Sequence, residues 1–315
     1  MASGSAEATS VNMPVQLALY ALMCGIWGSS FFFTSIALRG FNAVSLPAFR
    51  MLLAALALTV VVGVRRLPLP REKRVWGHAL ALGFFNIAFP YVLLTWAQLH
   101  VNSSTASILS STTPLFVFVF SCLVVRTESF GMLRALGLAI AFLGIVTLYG
   151  LDKATTANIG PWSLVIIFCS MFYAAGNVYT RQFMADVHPF MVALLQIAFG
   201  ALFLLGFGLA TGTLVMRAPD AAAWLSLLEL GLAGSAITYL LFFHFISQWG
   251  STATSLNTYF QPLVGLSLGV AILHDDIPVV AWVALSIVLL GIALFGLGTW
   301  RLRQSAAASS SPEIA

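Results

Sequence analysis

The sequence predicts an all-α membrane protein, with ten transmembrane helices arranged as two inverted five-helix repeats. Three observations predict it: a composition almost without charge, ten long apolar runs joined by short polar connections, and a correspondence between the two halves of the chain.

Hydrophobic residues fill 60% of the 315 positions, charged residues fill 8%, and the mean hydropathy is +0.98. Soluble domains carry about 25% charged residues. So few charges cannot solvate a globular surface in water, so the lipid bilayer is the expected surroundings of this chain. At ~20 residues per span plus a short connection, the chain holds about ten spans and no large soluble domain.

The apolar runs are 15–36, 44–63, 76–98, 103–125, 132–150, 161–180, 189–210, 223–246, 252–274 and 279–300. The connections Arg65–Arg74, Leu151–Gly160, Arg217–Pro219 and His274–Pro278 carry the prolines, glycines and charges. In lipid every backbone polar group must be paired within its own segment, so each run is read as a helix. The polar residues 1–14 have no basic n-region, so no cleavable signal peptide is expected. The low-complexity tail 304–315 is expected to be disordered. Cys24, Cys122 and Cys169 lie in apolar runs without metal-ligand or disulfide spacing, so they read as small buried hydrophobes. No cofactor and no metal is expected.

Orientation follows from the basic residues. With the N-terminus inside, ten of the 14 Lys and Arg fall on the inner side and Arg39, Lys153 and Arg217 on the outer; Arg50 lies within a span. That bias places both termini in the cytoplasm, in a multi-pass protein of the cell inner membrane. The dense run Arg65, Arg66, Arg71, Lys73 and Arg74 is part of this signal, and nucleic acid is not an expected partner.

The halves correspond at an offset of 148 positions: Ser103, Pro114 and Glu128 fall on Ser251, Pro262 and Asp276, and Gly83 and Tyr91 on Gly231 and Tyr239. At an offset of 146, Trp27 falls on Tyr173 and Thr34 on Thr180. An odd number of spans per half makes the second half enter the membrane upside down. Inverted repeats are a mark of transporters that bind substrate near the midplane.

Several motifs follow one another along the chain, and the stretch around Ser104–Phe116 is repeated in the second half. The motifs are WGSSF at Trp27–Phe31, PAFRMLLAAL around Arg50, STASILSSTTPLF at Ser104–Phe116 with Glu128 behind it, and STATSLNTYFQPL at Ser251–Leu263 with Asp276. In these the chain resembles the drug/metabolite transporter superfamily, in its bacterial form with two EamA-type domains, over about residues 15–300. The domains would be 15–150 and 161–300. Asp276 stands where the pattern has Glu, which keeps the charge. The resemblance implies alternating access and export of small metabolites, commonly amino acids. A carrier for other solutes such as purines or drugs, or a channel, stays open beside it.

Polar groups inside spans are costly unless they face protein or water, so they mark candidate sites. Asn257 and Gln261 lie four apart, on one face beside Pro262. Tyr173 and Asn177 share a face in the same way, as do Asn86 and Pro90. Tyr91, Trp96, Tyr239 and Tyr259 are candidates for an aromatic box, Trp27 joins them through its match to Tyr173, and His244 is a titratable candidate. For each of these, ordinary helix packing is the competing reading. Pro90, Pro114 and Pro262 read as kinks beside a pathway.

Arg50 and Glu229 each lie about six residues from the outer end of their spans, ~9 Å deep at 1.5 Å per residue. Anchoring is favoured over a substrate role for both, and a pairing between them is open. Glu128 and Asp276 read as structural or gating residues that complement the dipole of a following helix.

An enzyme is not expected. All five aspartates lie in connections or at span ends, and no HExxH or glycine-rich phosphate loop occurs. The expected partner is a small-molecule substrate; a homodimer is compatible with the sequence, which fixes no oligomeric state.

Overall fold

The computed structural model describes residues 13–101, 103–126, 128–150, 160–264 and 279–309. In chain order they form α1 (Met13–Ala37), α2 (Ser45–Val64), α3 (Lys73–Ala97), α4 (Ser103–Ser110), α5 (Thr113–Val124) and α6 (Met132–Gly150). They continue as α7 (Pro161–Phe183), α8 (Pro189–Ala210), α9 (Ala221–Trp249), α10 (Ser251–Ser255, resuming over 257–264) and α11 (Val279–Ser309). The described protein is all-helical apart from loops and an isolated bridge between Phe41 and Met216. Six of the helices (α1, α2, α3, α7, α8 and α9) are long and apolar enough to cross a membrane. Asp276, Lys153 and the later part of the expected ninth span lie outside the described residues.

Two departures from the expected spans have local causes. First, α3 and α9 are not uniform: each contains a π-helical segment, Gly83–Ala88 and Glu229–Ile237. The repeat offset of 148 carries 83–88 onto 231–236, so both segments sit at the same place in their halves. Second, α11 runs to Ser309, six residues into the stretch expected to be disordered. The strong helix former alanine at 306–308 extends the span that precedes it.

The bundle is tied at both ends. At one, here the far end, the connection after α1 meets the connection after α8. Arg217 N–H donates to Gly40 O (2.8 Å), Asn42 Nδ2 to Thr213 O (2.8 Å) and Ser45 Oγ to Val215 O (2.9 Å). At the opposite, near end, Arg74 Nη2 donates to Asp186 Oδ2 (2.6 Å) and Glu72 Oε2 (3.1 Å). These side chains are half exposed, so the pairs contribute little to stability. The bond from Arg74 holds the Asp186 carboxyl below the usual carboxylate range.

Lipid offers no hydrophobic drive between helices, so close packing must hold them together. The main cluster joins α2, α3, α8 and α9 through residues such as Met51, Leu58, Ile87, Ile197 and Phe245. A second joins α5, α6, α10 and α11 through Phe118, Leu138, Tyr259, Val288 and Phe295. Between α6 and α11 the backbones themselves touch: a Cβ on Gly137 would lie 2.6 Å from Gly291 O, and one on Gly144 2.8 Å from Val288 N. Between the two clusters the helices part around a cavity.

Candidate substrate site

The cavity measures about 120 Å³, and its wall follows helical faces from both halves of the chain. Helix α1 supplies Trp27, Ser30, Phe31 and Thr34, and α3 supplies Tyr91, Leu94 and Thr95, with Gln98 at its C-cap. Both sets have the spacing i, i+3, i+4, i+7 of one helix face. Asn86 also lines the cavity, although it lies five residues before Tyr91. In a regular α-helix that spacing points about 140° away, at ~100° per residue. The π segment brings residues five apart together, because its bonds run i→i+5. The rest of the wall is Arg50 from α2, Ser110 and Thr113 around the α4–α5 break, and Tyr173 and Asn177 from α7. Tyr239 and Phe242 of α9 join them, as do Ser255, Asn257, Thr258 and Gln261 of α10.

The polar groups of this wall fall into two kinds. Some are fixed by protein partners. Trp27 Nε1 and Arg50 Nη2 both donate to Gly234 O at 2.9 Å, inside the π segment of α9. Arg50 Nε donates to Ser235 Oγ (2.8 Å), and its guanidinium lies 5.1 Å from the centre of the Tyr91 ring. The hydroxyls of Tyr91 and Tyr239 meet at 3.2 Å. Asn86 Nδ2 donates to Gln196 Oε1 (3.2 Å), and Gln196 Nε2 donates to Thr180 Oγ1 (3.2 Å). Others are buried without a partner among the described residues: both amide atoms of Asn257, Gln261 Oε1, Asn86 Oδ1, Gln98 Oε1 and the Tyr173 hydroxyl. A buried polar group left unpaired costs ~1–3 kcal/mol, so five such residues around one cavity describe a surface shaped for something else to bond.

Of the aromatic, amide and histidine candidates read from the sequence, Trp27, Asn86, Tyr91, Tyr173, Asn177, Tyr239, Asn257 and Gln261 share this wall. Three do not. Trp96 is 46% exposed and meets the Trp162 ring edge-to-face at 4.8 Å on the outside of the bundle, because it follows Tyr91 by five residues of regular helix. Tyr259, two residues from both Asn257 and Gln261, points to the opposite side of α10 and donates its hydroxyl to Leu138 O (3.2 Å). His244 lies near the near end against Gln16, with 3.2 Å between their Nε2 atoms. Pro90, Pro114 and Pro262 are buried outside the wall, and each adjoins a lining residue, Tyr91, Thr113 and Gln261.

The charged candidates separate as well. Arg50, expected as an anchor, reaches the cavity, and it bonds Gly234 and Ser235 in place of Glu229. Glu229 is half-buried with Oε2 unpartnered. Glu128 serves a helix other than the one that follows it. Its Oε1 accepts from Thr252 N–H (3.1 Å) at the start of α10, and its Oε2 accepts from Arg134 Nη2 (2.5 Å). The turn before α10 passes through Gly250 at φ +91°, a conformation open to glycine, and a Cβ there would lie 2.9 Å from Glu128 Oε1. Tyr20 OH, 3.2 Å from both Ala253 O and Thr254 O, ties α1 to the same end of α10. These contacts tie the start of α10 to α1 and to the connection after α5, and the wall includes Thr34 and Gln98.

Sequence reasoning missed Ser30, Phe31, Thr34, Leu94, Thr95, Gln98, Ser110, Thr113, Phe242, Ser255 and Thr258. Continuing the helical faces of Trp27 and Tyr91 by three, four and seven residues would have found the first six.

The sequence and the fold are similar to those of known proteins. The EamA-like transporter family matches residues 15–150 and again 160–297. YedA, an uncharacterized inner membrane transporter of Escherichia coli (strain K12), is 26% identical over 291 residues, covering 91% of this chain and 92% of its own. The uncharacterized transporter YdfC of Bacillus subtilis is 28% identical over 248 residues, covering 78% and 79%. A protein of Streptantibioticus cattleyicolor named "Probable terminal-alkyne amino-acid exporter" is 25% identical over 296 residues, covering 93% and 98%. A solved crystal structure shares the fold with a TM-score of 0.74 at 18% identity, over 92% of this chain and 99% of that one. With a family match over both halves and a helical membrane fold around a central cavity, the chain belongs to the EamA-like transporter family.

Proposed function

We propose that this transporter exports a small amphipathic metabolite, an amino acid or a relative, by alternating access to the central cavity. The observation that carries the reading is the wall itself: aromatic faces interleaved with neutral amides and hydroxyls, several of them unpartnered, and one cation, Arg50. Such a wall suits a ligand that is part apolar and close to neutral overall. A dianion would need several buried cations. Export, as the direction, is supported by the exporter named among the relatives.

The proposed frame is ten spans in two inverted five-helix repeats with both termini cytoplasmic. It is supported by the matched π segments and by the gathering of the basic residues within 65–74 in one connection, which the positive-inside rule reads as cytoplasmic. In this frame Glu128 is a latch between repeats: a first-half carboxylate caps a second-half helix and closes the cytoplasmic side. Release of that cap would open the cavity inward.

The test is reconstitution in liposomes with a panel of the twenty common amino acids, purines and sugar phosphates. Saturable counterflow of one or more neutral amino acids is expected. Transport confined to phosphorylated or multiply charged solutes contradicts the reading.

A further inference from the structure

We infer that Arg50 is the receptor for a carboxylate on the substrate, so that the carrier selects for a single negative group at one place in the cavity. The inference rests on the carrier reading above and names the chemistry of its site.

Arg50 is 7% exposed and lines the cavity. A guanidinium has five N–H donors in a fixed planar fork. The protein uses two: Nε–H on Ser235 Oγ and one Nη2–H on Gly234 O. The other three, including both on Nη1, find no acceptor among the described residues. Both acceptors belong to the π segment of α9, and the Tyr91 ring lies 5.1 Å from the guanidinium carbon. The group is therefore held in one orientation by contacts that leave much of its fork free.

Among the described residues no carboxylate forms an ion pair with Arg50; Glu229 of α9 feels its charge from beyond ion-pair distance, and its Oε2 stays unpartnered. A buried, unpaired charge inside a membrane is expensive, and a structure that only needed an anchor would be served by a neutral donor. A ligand carboxylate resolves this, because it matches the guanidinium fork with two parallel hydrogen bonds. Phosphate fits less well, since a second negative charge would face only amides and hydroxyls.

A second observation completes the assignment. Asn257 is fully buried, and among the described residues neither its Nδ2 nor its Oδ1 has a partner, nor do Gln261 Oε1 and the Tyr173 hydroxyl. These include several acceptors in the same wall as the one cation, which is the complement of a zwitterion: carboxylate on Arg50, ammonium on the amide oxygens. Trp27, Tyr239 and Phe242 are left to contact the apolar remainder.

The experiment compares each transported amino acid of the twenty with its carboxamide, which keeps the ammonium and side chain and removes the negative charge. Wild-type protein and the variants Arg50→Gln and Arg50→Lys are reconstituted in liposomes and assayed by counterflow. Wild type is expected to favour the acid by about thirtyfold or more, as for loss of a charge-assisted bidentate contact. Arg50→Gln is expected to lose acid transport by about a hundredfold while carboxamide transport stays within roughly threefold, so that the preference collapses. Arg50→Lys is expected to retain part of the preference, since it keeps the charge without the fork. A purely structural arginine would lower both probes together. Equal transport of acid and carboxamide by wild type, or an unchanged preference in Arg50→Gln, overturns the assignment while leaving the carrier reading intact. If Arg50→Gln does not fold, the wild-type preference decides. Wild type that moves no amino acid overturns both readings.

Discussion

Replacing Asn257 by leucine is expected to abolish transport while leaving the protein at least as stable as wild type. Both polar atoms of this side chain are buried without a protein partner, on a residue with no exposed surface. The folded protein therefore bears the desolvation of an amide and gains no hydrogen bond from it. Leucine has the same number and branching of side-chain heavy atoms and removes that penalty, which is ~1–3 kcal/mol for an unsatisfied buried group. A bound solute loses the opposite amount. Hydrogen bonds to a charged group contribute ~1.5–3 kcal/mol each, so two lost contacts reduce affinity by roughly a hundredfold or more. Counterflow in liposomes and thermal unfolding in detergent measure the two effects separately. Loss of stability together with transport would show that Asn257 is a packing residue. Undiminished transport would remove it from the site.

The largest effect on folding is expected at Gly291. A Cβ there would press on Ala141 N and on Gly137 O, which are backbone atoms of α6 and cannot turn aside as a side chain would. Gly291→Leu therefore forces α6 and α11 apart along their shared length. Ordinary overpacking of a core costs ~1–3 kcal/mol, and in lipid the separated helices lose the close packing that holds them. Folded protein recovered from membranes is expected to fall below detection. Gly296→Leu is the control. Five residues along the same helix, it has open space where its Cβ would be, and wild-type yield is expected. Equal tolerance of the two substitutions would show that the α6–α11 contact is not what joins the ends of the two repeats.

The helices were legible because membrane physics writes them in long apolar runs, and α1, α2 and α8 begin and end within a few residues of the runs that predict them. Which way a side chain points was less so. Tyr173 with Asn177 and Asn257 with Gln261 were found because spacing by four holds in a regular helix. Trp96 and Tyr259 were misplaced because aromatic character says nothing about the face a residue occupies. Asn86 reaches the cavity through a π turn, and the six residues of that segment, GFFNIA, carry no composition signal for it. A strict α-period pairs it instead with Pro90, which lies outside the wall. Arg50 was read by its depth, and depth favours anchoring. Its role in the wall emerges only once Gly234 and Ser235, 184 and 185 residues further along, are seen to occupy part of its fork.

The central claim is that one cavity is reached alternately from both sides of the membrane. The direct measurement places a single cysteine at Asn177, in the cavity wall, in a background without Cys24, Cys122 and Cys169. Membrane-impermeant thiol reagents are then applied to right-side-out and inside-out vesicles. The account predicts labelling from both sides, slowed on both by a saturating concentration of any amino acid that the protein transports. Labelling from one side alone, at a rate that such a solute does not change, would contradict it.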